Sequence, residues 1–282
     1  MTIEKSIDEL IAPLRADIRR LGNLLGLIIQ EQEGEDIFNL VEQVRADAKA
    51  RRAGDDEAAE RLKLTIRATN LQQKRMLIKA FGNYLQLINI AEDQHRIRTI
   101  RERELVGHLG ESIESGVAEL KALGLSALDV REMLEKIRVR LVLTAHPSEA
   151  KRQEVLIKLR DIATMMNTQE STTLLPREQR RINDDILRRI EQLWQIQPTR
   201  TTRATVAEEV EAGVYFITQV IMNVLIEIYD SLQHVLEDVY PQEDWSNLPP
   251  LLSFASWMGG DRDGNPNVTP DVTLKTLEAM RR

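Results

Sequence analysis

At 282 residues with 42% hydrophobic content, the chain has enough apolar material for one large domain or two small ones without covalent staples. It has no cysteine, which excludes disulfides, thiolate nucleophiles and Cys-bound zinc or iron–sulfur centres and fits a reducing cytoplasm. Its 38 Lys and Arg against 45 Asp and Glu give a net charge of −7; nucleic acid is therefore not an expected partner, although a few convergent arginines can still grip a small anion.

The N-terminus mixes charged and apolar residues from its first turn and lacks the apolar run of a signal peptide or spanning helix, so no membrane association is expected. From about Ile7 to Arg52, Leu10, Leu14, Ile18, Leu21, Leu25 and Ile28 recur at helical spacing, and Gly34 divides this stretch into two helices. A second helical pattern runs from about Asp55 to Arg103, with a junction expected near Asn70 or Gly82. A shorter helix is predicted near 112–122. Ser126 is placed to cap the next one, with Asp129 facing back from its third position.

At RVRLVLTAHP the period changes, because Val139, Leu141 and Leu143 alternate with other residues before Pro147 interrupts the run. This is the first strand. Helices follow over 149–167 and 177–194, and one long apolar-striped helix over 208–238. A second short apolar run, LLSFASWM, then enters GGDRDGNPNVTP, after which Thr269 and Pro270 start a last helix. That helix reaches Arg282 with no glycine, proline or loop after it, so the expectation is a chain that stops short. The predicted class is mostly helical, divided into an N-terminal helical region (1–137) and a region of two strands with long inserted helices (138–282).

Three constellations are candidates for chemistry. His146 directly follows the first strand, where the loops of a parallel barrel build an active site, and histidine exchanges protons near neutral pH. A hydrogen-bonded turn histidine is the competing reading. Arg262 stands between Asp261 and Asp263, which are expected to fix its guanidinium so that its remaining donors can hold a phosphate or carboxylate. The alternating Asp261, Asp263, Asn265 and Asn267 resemble a calcium loop, but Pro266 and Val272 occupy the positions of its glycine and closing glutamate. Arg152, one turn past His146, and Arg200, among small hydroxyl residues with Arg203, are candidates for an anion site. Covering a helix surface is an equal alternative for them. His95, His108 and His234 form no close ligand pair.

Together, TAHPSE and GGDRDGNPNVT make the sequence resemble phosphoenolpyruvate carboxylase, with further similarity through LRADIRRLGNLLGLIIQEQEGEDIFNLVEQVR and AFGNYLQLINIAEDQHRIR. The resemblance implies the N-terminal part of a helix-decorated (β/α)8 barrel containing only its first two strands, near 139–145 and 251–258. It implies carboxylation of phosphoenolpyruvate with bicarbonate to oxaloacetate and phosphate, in a cytoplasmic homo-oligomer. By the same resemblance His146 and Arg262 are catalytic, Arg262 binds substrate, and magnesium or manganese is held by residues outside this chain. Ser148 replaces the family's usual threonine, while Gln153 and Thr201 replace arginines tied to a sugar-phosphate activator site. A short anion-binding or assembly partner with the same scaffold is the alternative.

Overall fold

The computed structural model describes residues 6–107, 110–144, 153–196 and 205–281. In chain order these form α1 (Ile7–Glu33), α2 (Glu35–Arg52), α3 (Asp56–Ala68), α4 (Leu71–Leu105), α5 (Ile113–Ala122), α6 (Ala127–Lys136) and β1 (Val139–Leu143). There follow α7 (Gln153–Ser171), α8 (Pro176–Gln195), α9 (Val206–Phe216), a π-turn (Ile217–Ile221), α10 (Met222–Val239), β2 (Leu252–Ser256) and α11 (Pro270–Arg281). The molecule is mostly helical, as its periodicity predicts. Two compact units can be distinguished, Met1–Glu102 with Lys151–Arg200 and Arg103–Ala150 with Thr201–Arg282.

Local chemistry sets the boundaries in the first unit. Ser6 and Glu9 form a capping box at the start of α1, and Gly34, at φ 86°, adopts the left-handed conformation that separates α1 from α2. Asn70 and Gln73 exchange hydrogen bonds, the Asn70 amide donating to Gln73 Oε1 and the Gln73 amide to Asn70 Oδ1, each at 2.9 Å. That reciprocal cap starts α4, so the junction lies at Asn70 while Gly82 stays inside the helix. The core gathers Leu21, Leu25 and Ile28 of α1, Leu77 and Leu87 of α4, Ile162 of α7 and Ile186 of α8, all buried. Each contributes about 1.5–3 kcal/mol by leaving water. Trp194 closes this core, donating from Nε1 to Glu33 Oε1 at 3.0 Å, with Lys79 Nζ 4.3 Å from its ring centre. Arg98 ties α4 to α1 through Asp17 at 3.0 Å and to α7 through Glu170.

In the second unit Ser126 and Asp129 form the anticipated capping box of α6. The α6 residues Val130 and Leu134 pack with Leu236, Tyr240 and Trp245, and the Trp245 indole donates to Tyr240 O at 3.1 Å. The two strands pair with each other in parallel, from Val139 opposite Leu252 to Leu143 opposite Ser256. The two strands read from the sequence as isolated and in need of partners outside this chain; that expectation is overturned, since each serves as the other's partner. Parallel pairing requires a long crossover, and here everything from α7 to α10 lies between the strands in sequence. The Tyr229 hydroxyl of α10 accepts from the Leu251 and Leu252 amides at 2.6 and 3.3 Å, which holds the entrance to β2.

The single helix expected over 208–238 is continuous from Val206 to Val239 but passes through the π-turn at its middle. By length and composition it is apolar enough to cross a membrane, with a mean hydropathy of 1.5 over its most apolar window. Phe216, Met222, Val224 and Ile226 are exposed on it.

Candidate functional site

The candidate site is built at the C-terminal ends of β1 and β2. Both strands finish side by side, and the Trp257 amide extends the ladder by donating to Leu143 O at 2.9 Å. Beyond Ser256 the chain must turn sharply. The Met258 amide donates to Ser256 Oγ at 3.0 Å, and the Gly260 and Asp261 amides both donate to Trp257 O at 3.0 Å.

Glycine is required at the centre of this turn. Gly259 has φ +68°, and a Cβ there would lie 2.1 Å from Oγ1 of the buried Thr276. Gly264 also has positive φ, +69°, but faces open space. Below the turn Met258 and Val268 are buried with Val206 and Val210 of α9. Gly213 of α9 makes room for them, since a Cβ there would stand 2.4 Å from the Met258 methyl.

Arg262 is exposed at the crest of this turn. Its Nη2 donates to Thr273 Oγ1 at 3.1 Å, and that hydroxyl donates to Gly259 O at 2.8 Å. Thr273 lies in the first turn of α11, so the helix start anchors both the loop backbone and the guanidinium. The Asp261 carboxylate accepts instead from the Asp263 amide at 3.2 Å, and Asn265 accepts from the Asn267 amide at 3.1 Å. These side chains brace the turn itself. Among the described residues Arg262 has no carboxylate within ion-pair distance, so the flanking aspartates are not its anchors. Sequence reading missed Thr273, because it lies eleven positions after Arg262, across loop and helix cap. The only available signal was its position one turn after the Thr269 cap, whose Oγ1 accepts from the Val272 amide at 3.4 Å.

His146, Arg152 and Arg200 lie outside the described residues, as do Ser148 and Arg203. Of the other histidines, His95 Nδ1 is 3.3 Å from Arg98 Nη1 and His234 Nδ1 is 2.7 Å from Asp230 O, each within its own helix. His108 is also outside the described residues. Among the described residues no three His, Asp or Glu side chains converge in a way that could hold a metal ion.

A family model for phosphoenolpyruvate carboxylase matches residues 14–282. Curated relatives carry that same name. The protein from Roseiflexus castenholzii is 39% identical over 281 residues, spanning 95% of this chain and 29% of its own length. That from Aromatoleum aromaticum is 35% identical over 270 residues, with 94% and 29% covered, and that from Pseudomonas paraeruginosa 36% over 276, with 97% and 31% covered. The chain therefore spans about 30% of the length of the curated relatives it matches.

Proposed function

This chain belongs to the phosphoenolpyruvate carboxylase family, and from that premise we propose that it supplies the first part of an enzyme joining bicarbonate to phosphoenolpyruvate to give oxaloacetate and phosphate. One observation carries the reading. Leu143 and Ser256 are register partners in a parallel pair, so β1, which TAHP follows in sequence, and β2, which the GGDRDG turn follows, end at the same edge of the sheet. In parallel α/β architectures that C-terminal edge is where substrates bind.

In the proposed reaction a bicarbonate oxygen attacks phosphorus and the bond to the enol oxygen breaks, leaving carboxyphosphate and the enolate of pyruvate. His146 takes the carboxyphosphate proton. Carbon dioxide and phosphate then separate, and the enolate carbon forms the new carbon–carbon bond. Arg262 binds the transferring phosphoryl group and spreads the charge that grows on it. Its hydrogen bond to Thr273 supports this role by restricting a guanidinium that would otherwise be free to turn. The divalent magnesium or manganese of the family reading finds no set of ligands among the described residues, so it enters none of these steps.

We place the chain at the start of a (β/α)8 barrel, with residues 1–137 as the preceding helical region and 138–282 beginning the barrel. The exposed faces of β1 and of the Val206–Val239 helix support this, since parallel sheets are ordinarily covered on both sides and longer relatives have the chain to cover them. A cytoplasmic homo-oligomer is the proposed setting, with Arg152 and Arg200 in an anion or activator site.

The test is a chimera in which residues 14–282 replace the matching segment of the Roseiflexus castenholzii protein. Arg262→Lys in that chimera should lower kcat/KM for phosphoenolpyruvate by about 10²–10³, as when one donor to a developing charge is lost. An unchanged kcat/KM would remove Arg262 from the phosphate site.

A further inference from the structure

A cleft of about 750 Å³ opens between α1, α2 and α4, wholly inside the first unit and unused by the carboxylase reading. Its depth originates in α1, where Gly22 and Gly26 stand one turn apart. A Cβ at Gly22 would lie 3.2 Å from the Tyr84 ring, and one at Gly26 3.1 Å from the Phe38 ring. Both rings therefore lie against bare helix backbone and form aromatic walls, with buried Leu25, Ile29 and Val41 beneath.

The rim has the opposite chemistry. Arg15 and Arg19 are one turn apart on α1, and Arg45 and Lys49 one turn apart on α2, all lining the same opening. Because α2 folds back after Gly34, these two cationic pairs come to the same end of the cleft. Glu42, the one carboxylate in the lining, is already gripped by Arg45 through Nε at 3.0 Å and Nη2 at 2.5 Å. That grip raises the Arg45 pKa above its ordinary value. Arg15 pairs at 3.0 Å with Asp8, outside the cleft lining. Among the described residues Arg19 and Lys49 have no carboxylate within ion-pair distance. A chain of net charge −7 thus concentrates uncompensated positive charge at the mouth of an aromatic cleft. Such a combination of apolar walls and a few convergent charges in a cavity of this size is how small-molecule sites are made.

We propose that this cleft binds a small organic anion with an aromatic body, of the aryl phosphate class, its ring against Phe38 and Tyr84 and its head group at the Arg19 and Lys49 end. The proposal does not rest on the carboxylation reading, and its failure would leave that reading untouched.

Isothermal titration of the 282-residue chain with 1-naphthyl phosphate, inorganic phosphate and 1-naphthol separates the ring from the charge. Naphthyl phosphate should bind at least about tenfold more tightly than either part alone. The double variant Arg19→Glu/Lys49→Glu, altering exposed side chains outside the core, should weaken it about tenfold or more, since charge-assisted contacts are lost and replaced by repulsion. Tyr84→Leu should weaken it several-fold while far-UV circular dichroism stays unchanged, and Arg188→Glu on α8 should leave it unaltered. Equal affinity for inorganic and naphthyl phosphate, no binding at millimolar concentration, or full affinity in the double charge reversal would overturn the proposal.

Discussion

In the first unit Leu21, Ile28 and Ile186 are 0–2% exposed, whereas on β1 of the second unit Val139, Leu141 and Val142 are 42%, 50% and 47% exposed. The helical unit gathers a buried core from α1, α4, α7 and α8, although Leu64, Leu71, Ile78 and Leu85 stay exposed on it. The sheet has no such cover among the described residues. A unit with a buried core of its own is thus paired in sequence with a strand pair whose β1 face is open, and the candidate chemistry belongs to the latter. Its turn compensates locally, through Gly259, Thr273 and Thr276, for what the sheet lacks in packing.

The sharpest way to break this contrast is to damage the finished core. Trp194→Ala should cost about 3–5 kcal/mol in denaturant unfolding, because a large fully buried ring leaves a cavity that rigid helices cannot close. A cost under about 1 kcal/mol would show a core that relaxes freely. Next in size is Gly259→Ala, expected to destabilise by about 2–3 kcal/mol through positive φ and collision with Thr276. Gly264→Ala should cost only about 1 kcal/mol, since strain acts there without a clash. Measuring both by thermal unfolding sharpens the distinction between a packed turn and a merely bent one. Thr273→Val should cost about 1 kcal/mol and release Arg262, with Thr273→Ser restoring both, as read by exchange of the 259–273 amides.

Smallest is an acid effect in α6. Hydrogen bonds from the Ser126 hydroxyl and amide hold the Asp129 carboxyl below its ordinary pKa. A carboxylate depressed on folding stabilises the protein above its ordinary range, near pH 3.9, and that contribution is lost as pH falls through the lower folded value. Asp129→Asn should therefore flatten the acid limb of a stability profile and lower the plateau above it. An acid limb of unchanged steepness would contradict the linkage.

Helices were legible because capping chemistry is local. Ser126 with Asp129 announced α6 within four residues, and Asn70 proved the stronger of two candidate junctions because its side chain makes bonds that Gly82 cannot. The two strands were legible as alternation, but their pairing was not, since the partners lie more than a hundred residues apart and only the crossover brings them together. The π-turn at Ile217–Ile221 left no trace in an apolar run with uniform helical spacing. At the candidate site, Arg262 was singled out by the composition of its loop. Its anchor was not, because nearby carboxylates suggested ion pairs while the fold of the turn delivered a threonine from the next helix.

The central claim is most directly tested by following oxaloacetate and phosphate together in the Roseiflexus castenholzii chimera carrying His146→Asn. The account predicts that oxaloacetate formation is lost while bicarbonate-dependent phosphate release persists, because phosphoryl transfer precedes the proton step assigned to His146. Oxaloacetate formation at the rate of the unsubstituted chimera would contradict it.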